Sequence, residues 1–162
     1  TPKTVAPAEY KNISHPVVFH HGSLTIDGTT FGYVEAITIS YTNNLTLDDA
    51  YRINGSRYPS KPFFISNIGI EVSFDSSFET TTEYQKFLDS DLVSLELVFD
   101  TGEIIDSNYT RKYVIRLPSV IYKTSSANLS GRDRIVQSIT GEAIFQGSYP
   151  LQIEVYNDVS TY

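Results

Sequence analysis

Apolar and polar residues alternate along much of this chain, which is the pattern of a half-buried β-strand. In residues 34–42, Ile37, Ile39 and Tyr41 fall on one face and small polar residues on the other. Residues 68–75 alternate in the same way. Because β-branched and aromatic residues dominate both segments, the pattern predicts a protein built mainly of strands.

Nine segments have the length and composition of strands, namely residues 16–20, 23–26, 34–42, 68–75, 92–99, 110–117, 119–123, 134–146 and 150–156. Asp27-Gly28 predicts a hairpin turn after the second segment. Pro118 is expected to end the sixth, because proline cannot donate to a strand ladder. We therefore predict a single all-β domain over residues 16–162, a sandwich or barrel of eight or nine strands.

One short helix is predicted between the fourth and fifth strands. Thr80 and Glu83 have the spacing of a capping box, and Tyr84, Phe87 and Leu88 form one apolar stripe. A helix of about nine residues is not stable alone. We expect the stripe to pack against the sheet.

Two segments lack periodicity. Residues 1–15 contain two prolines and are predicted to form an extended arm. Residues 43–67 contain Asn-Asn, Asp-Asp and Asn-Gly pairs with two prolines, so they form a long loop. A loop of this length is uncommon in a compact domain and usually has a function or a partner.

Composition narrows the classes of function. The absence of cysteine excludes disulfides, thiolate metal sites and a thiol nucleophile. A net charge of −7 argues against a surface that grips nucleic acid, which needs clustered Lys and Arg. No apolar run approaches the roughly 20 residues of a membrane span, so we expect no membrane contact.

No catalytic motif is found, and we predict neither an enzyme nor a cofactor. His20 and His21 would point to opposite faces of a strand, so no metal site is predicted. The acidic pairs Asp48-Asp49 and Asp89/Asp91 lack the pattern of a calcium loop. A catalytic carboxylate dyad is a spatial relation, which the sequence leaves open.

Three long predicted strands carry small polar or acidic side chains opposite their apolar face. These are Thr38, Ser40, Glu71, Ser73, Asp75, Ser138, Thr140 and Glu142. A solvated sheet face explains this pattern. A smooth acidic surface lining a polar channel explains it equally well.

Five motifs follow one another in a recognisable order: Asn43-Asn44-Leu45, Gly55-Ser56-Arg57, Tyr84-Gln85-Lys86-Phe87, Leu117-Pro118 and Leu151-Gln152-Ile153-Glu154-Val155. In this order and spacing, the chain resembles the tail tube proteins of long-tailed phages over roughly residues 20–158.

The resemblance implies a β-sandwich or barrel with a flanking helix that assembles with copies of itself into hexameric rings. The rings stack into a tube of the virion tail, assembled in the host cytoplasm, which contacts other tail proteins and lets DNA pass without specific binding. The polar face would line the lumen, and residues 1–15 would be an arm between rings. The long loop would also join rings, through Leu45, Leu47, Tyr51, Ile53, Arg57 and Tyr58. A tail-tip or adaptor ring protein of the same fold fits the resemblance as well.

A second hypothesis is a secreted or surface-exposed β-sandwich that binds glycan or protein. Five Asn-x-Ser/Thr sequons, a mild excess, favour it; they lie at Asn12, Asn44, Asn54, Asn108 and Asn128. This hypothesis predicts a monomer with an aromatic-lined binding patch. The start without methionine is expected to reflect processing or a longer parent protein.

Overall fold

A computed structural model describes residues 16–46, 51, 53, 57–58, 61–106, 108–128, 134–147 and 149–158. The described part contains one α-helix, α1 (Thr82–Asp89), and ten strands. The strands are β1 (Gly22–Ile26), β2 (Thr29–Thr30), β3 (Val34–Thr42), β4 (Leu45–Thr46), β5 (Phe63–Phe64), β6 (Gly69–Ser77), β7 (Leu92–Asp106), β8 (Tyr109–Asn128), β9 (Val136–Ala143) and β10 (Gln152–Tyr156). The predicted all-β class with one short helix is confirmed.

Eight strands form one antiparallel sheet in the order β2-β1-β7-β8-β9-β6-β3, with β10 paired to β8, while β4 and β5 form a separate ribbon. The long strand β8 belongs to both halves of the sheet. Its first part lies between β7 and β10, and its second part pairs with β9. The sheet curves at β8, so that its two halves face each other across one core. The fold is therefore a partly open barrel formed by a single sheet, with two opposed halves as in a sandwich.

The core contains most of the side chains that alternation predicted, but Tyr41, on the predicted apolar face of β3, is 57% exposed. Ile70, Val72 and Phe74 of β6 are buried, and Val93 and Leu95 of β7 meet them from the other half. At Gly141 the strands β8 and β9 approach closely. A Cβ there would lie 2.7 Å from the Val120 side chain, so glycine is required.

The prediction that Pro118 ends a strand was wrong, because β8 runs from Tyr109 to Asn128. The register between β7 and β8 shifts between the pairs Leu95–Leu117 and Val93–Val120. Pro118 therefore lies in a bulge, where its missing N–H breaks no ladder bond.

Of the two elements predicted near the N-terminus, a strand and a hairpin, only the hairpin is present. The hairpin at Asp27-Gly28 is confirmed: β1 pairs with β2 around it, and both residues have positive φ. The strand predicted over residues 16–20 was wrong. There the His21 N–H donates to the carbonyl of Val18 and closes a short 3-10 turn before β1.

The capping box predicted for Thr80 and Glu83 was wrong. Helix α1 begins at Thr82, its N-cap is Thr81, and no side chain caps it. The Glu83 carboxylate is instead buried against β8, where it accepts a hydrogen bond from Tyr122. The Glu83 carboxylate, which a capping box would have used within the helix, thus accepts a tertiary hydrogen bond instead.

Candidate functional site: a polar sheet face with two free edges

The eight polar residues singled out above lie on one face of three neighbouring strands, opposite the core. Thr38 of β3 is the register partner of Ser73 in β6, which in turn pairs with Thr140 of β9. Ser40, Glu71 and Glu142 form a second row in the same way. Asp75 and Ser138 form a third pair, and the hydroxyl of Ser138 donates to the Asp75 carboxylate over 2.6 Å. The structure thus brings all eight residues onto one continuous surface.

The three central rows of this polar face carry three carboxylates and one ammonium group, and an ion pair between Glu35 and Arg134 extends the face beside Ser77. Lys123 of β8 lies 2.5 Å from the Glu142 carboxylate and 4.0 Å from that of Glu71. The hydrogen bond to Glu142 raises the pKa of Lys123. Sequence reasoning missed Lys123 because a register shift between Tyr122 and Thr124 interrupts the alternation at this position. The face is net acidic, and Lys123 is the cation of its central rows, at the β8 side.

Two strand edges flank the polar face. Strand β3 pairs with β6 on one side, and no described strand pairs with its other side. Residues 122–128 of β8 pair with β9, and within the described residues nothing pairs with their opposite edge. The four strands β3, β6, β9 and β8 therefore form a subsheet whose two outer edges can accept further strands.

The long loop leaves the sheet between β3 and β6 as the ribbon β4–β5. Asn44, at a positive φ of 50°, closes its base: its side-chain amide donates to the carbonyl of Asn67 over 2.5 Å. This sequon asparagine therefore has a structural role. The loop residues Leu45, Tyr51, Ile53, Arg57 and Tyr58 are exposed, whereas Leu47 and the arm of residues 1–15 lie outside the described part.

Helix α1 is held to the sheet by a buried carboxylate. Glu83 accepts hydrogen bonds from the Tyr122 hydroxyl over 2.8 Å and from Lys86 over 2.9 Å. Lys86 also lies 2.9 Å from Asp27, in the turn between β1 and β2. Burial and the negative charge of Glu83 raise the pKa of the Tyr122 hydroxyl well above its ordinary range. This chain of contacts joins α1 to both halves of the sheet.

The stripe predicted on α1 faces the sheet only in part. Phe87 packs against the core, but Tyr84 is 40% exposed and Leu88 54% exposed. The inward position of the helix is taken by Glu83, which leaves two large apolar side chains at the surface of the chain.

The ion pair between Asp27 and Lys86 makes stability depend on pH. Burial raises the pKa of Asp27, but hydrogen bonds from Lys86 and Ser94 outweigh it, so the pKa lies below its ordinary 3.8. Burial lowers the pKa of Lys86, yet its bonds to Asp27 and Glu83 raise it above 10.5. A lowered acid pKa contributes stability above pH 3.8 that is lost as pH falls. A raised lysine pKa contributes stability below pH 10.5 that is lost as pH rises.

We therefore expect the free energy of unfolding of the native chain to fall more steeply than that of Asp27→Asn as pH drops below about 4. The replacement leaves no carboxylate to titrate at this position. Urea unfolding of both proteins between pH 2.5 and 7 measures the difference. Parallel curves for the two proteins would contradict the role assigned to Asp27.

Two classes of site are not found in the described part of the chain. No group of three or more His, Asp or Glu side chains there is arranged to hold a metal ion. Among the same residues, no helix has the length and apolar character needed to span a membrane. Asp89 and Asp91, considered above as an acidic pair, are exposed, and Asp89 is bonded to Gln85 of its own helix.

Comparisons with known proteins give the chain a family. Several solved structures share its fold at low sequence identity, and three of them illustrate the range. A chain of the anti-feeding prophage cap, the tube-terminating cap, has a TM-score of 0.60 at 8% identity, covering 94% of this chain and 100% of that one. A chain of an extracellular contractile injection system, in the sheath–tube complex in its extended state, has a TM-score of 0.57 at 11% identity, covering 89% and 95%. A chain from the tail of an empty gene transfer agent particle, refined with C6 symmetry, has a TM-score of 0.56 at 10% identity, covering 86% and 98%.

No curated protein has a sequence that matches this one. The family model described as "Phage tail tube protein" matches residues 1–143, most of the chain. The resemblance seen in the order of motifs is therefore confirmed, and the chain belongs to the phage tail tube protein family.

Proposed function

We propose that the chain is a structural, non-enzymatic subunit of a virion tail tube, in which copies form closed rings and the rings stack. The observation that carries this proposal is the four-stranded subsheet, which has one polar face, one core face and two outer edges with which no described strand pairs. Family membership supports it independently.

Strand direction favours ring closure. All pairs in the subsheet are antiparallel, so β3 and β9 run one way while β6 and β8 run the other. Because the number of strands is even, β8 of one copy meets β3 of the next in antiparallel orientation. The same contact then repeats around a ring until the last copy meets the first. Closure leaves no exposed sheet edge in this layer.

The polar face would then line the lumen. Glu71, Asp75 and Glu142 would project into it, with Lys123 compensating part of their charge. A net acidic wall repels phosphate groups, so DNA would pass without adhering. Six copies per ring are proposed because a chain of the same fold belongs to a tail refined with C6 symmetry.

Axial contacts would come from the loop and the arm. Leu45, Tyr51, Ile53 and Tyr58 are exposed in the subunit, and large exposed apolar side chains commonly mark an interface. We propose that they pack on the next ring, with Leu47 and Arg57 in the same loop and residues 1–15 as an arm. A cap and sheath at the tube surface, as named for the solved structures of this fold, would be partners. Assembly would take place in the host cytoplasm.

A cysteine pair across the proposed junction tests the ring. The native chain has no cysteine, so Thr38→Cys in β3 with Thr124→Cys in β8 adds the only two thiols. Both positions are exposed on the polar face. Within one chain they are separated by three strand spacings, about 14 Å, which is too far for a disulfide. We expect oxidation to give a ladder of linked multimers that ends at the closed ring.

A second pair, Thr38→Cys with Ser126→Cys, tests the register in which β8 is shifted by two residues relative to β3 of the next copy. Each single-cysteine variant is the control and can give no more than dimers. If electron micrographs show rings or tubes but neither cysteine pair gives a ladder of disulfide-linked multimers, the β3–β8 junction is contradicted. A native chain that stays monomeric at high concentration would contradict the tube.

A further inference from the structure

An apolar pocket lies at the seam of the partly open barrel, between β3 at one end of the sheet and β1–β2 at the other. Its volume is about 310 Å³. An apolar cavity of about 150 Å³ takes up a benzene ring, so this one has room for an aromatic ring and an aliphatic side chain. The large apolar side chains that line this seam pocket are Phe19, Leu24, Phe31, Ile37, Leu97 and Phe99.

Helix α1 carries two apolar side chains that are only partly covered, Tyr84 at 40% and Leu88 at 54% exposed. Tyr84 and Leu88 are one turn apart and both are exposed. Lys86, two residues from each, contacts Asp27 of the β1–β2 turn. At 3.6 residues per turn, the pair lies about 160° around the helix from Lys86. The pair, here called the helix stripe, therefore points away from the β1–β2 turn.

Helix α1 and the seam pocket both lie on the core side of the four-stranded subsheet; the helix is hydrogen-bonded to β8, and the pocket is bounded by β3. Helix α1 is bonded to Tyr122 of β8, whose ring is buried beside Phe74 on the core side. The seam pocket is lined by Ile37 of β3, which packs against the same core. In the proposed junction, where β8 of one copy pairs with β3 of the next, the helix of the first copy would come to the side of the second copy that holds the pocket.

We propose that Tyr84 and Leu88 of each subunit insert into the seam pocket of the next subunit in the ring. The occupant is a second copy of this chain, and the inference rests on the proposed function. Both surfaces are apolar, they are different parts of the same chain, and each belongs to an element next to one of the two edges, α1 beside β8 and the pocket beside β3. A contact between two different surfaces of identical chains propagates in one direction, as a ring requires.

Two variants remove one side of the contact each. Tyr84→Ala with Leu88→Ala deletes the helix stripe, and Gly32→Phe fills the seam pocket. Gly32 lines the pocket, no atom lies within 4 Å of its added Cβ, and its φ is outside the left-handed region. We expect each variant to raise the concentration needed for ring assembly at least about tenfold. The control Gln85→Ala, on an exposed position of the same helix, should assemble like the native chain.

Mixing the two variants gives a second readout. Each retains one intact surface, so the mixture should form pairs but no closed rings. A direct readout is the disulfide between Leu88→Cys and Gly32→Cys placed on separate chains, because a mixed dimer of the two is favoured only where the contact brings these positions together. Each variant is checked by thermal unfolding, and the mixture of single-cysteine chains keeps the proposal testable if Gly32→Phe fails to fold.

The outcomes separate this inference from the function on which it rests. Normal assembly of both variants, with the Thr38/Thr124 ladder intact, would overturn the helix–pocket contact and leave the ring standing. Loss of assembly in both, with native melting temperatures, supports the contact. Absence of any ladder from chains that still assemble would overturn the β3–β8 junction, and the helix–pocket contact with it, while a native chain that stays monomeric would overturn the ring.

Discussion

Replacing Phe74 by alanine is expected to lower the free energy of unfolding by about 3–5 kcal/mol, the usual loss for a buried phenylalanine. Phe74 is 2% exposed, and its ring contacts those of Phe31 and Tyr122 in edge-on geometry. It therefore joins β6 to the β2–β3 link and to β8. The remaining cavity cannot collapse, because strands on both sides are fixed by their ladders. Urea unfolding followed by circular dichroism measures the loss.

The matched control for this prediction is Phe64→Ala. Phe64 lies in the loop ribbon and is 69% exposed, so its removal should change the free energy of unfolding by less than about 0.5 kcal/mol. The same substitution thus separates a core position from an exposed one. If both variants lost a similar free energy of unfolding, the packing of Phe74 between the two halves of the sheet would be contradicted.

Replacing Glu83 by alanine is expected to lower the free energy of unfolding by about 2–3 kcal/mol. The change removes two hydrogen bonds and leaves the buried hydroxyl of Tyr122 without its acceptor. Lys86 keeps Asp27 as a partner, so the loss should be smaller than for an isolated buried pair. Thermal and urea unfolding at neutral pH measure the effect.

Two controls identify the cause of the Glu83 effect. Tyr122→Phe removes only the hydroxyl and should reduce stability by about 1 kcal/mol. The double variant Glu83→Ala/Tyr122→Phe should lose less free energy of unfolding than the sum of the two single losses, because it has no buried hydroxyl left without an acceptor. Strict additivity of the two changes would contradict the buried hydrogen bond. The result bears on assembly, since Glu83 fixes the helix that carries Tyr84 and Leu88.

Alternation was a reliable guide wherever a strand has one face in the core. It predicted the buried face of β6 and the polar face shared by β3, β6 and β9, because side chains of a strand alternate strictly between its two sides. It failed at irregular positions. Lys123 lies at a register shift and Pro118 in a bulge, and both depend on which strand lies opposite.

The sequence by itself determined the all-β class, the hairpin at Asp27-Gly28 and the set of polar residues that share a face. These follow from local periodicity and turn chemistry, which act within a few residues. Only the tertiary structure decided that Glu83 is buried rather than capping α1, that β8 runs through both halves of the sheet, and that no described strand pairs with the outer edges of β3 and of residues 122–128 in β8. Those features depend on contacts between residues far apart in the chain, such as Glu83 and Tyr122, which are 39 positions apart, and no local pattern encodes them.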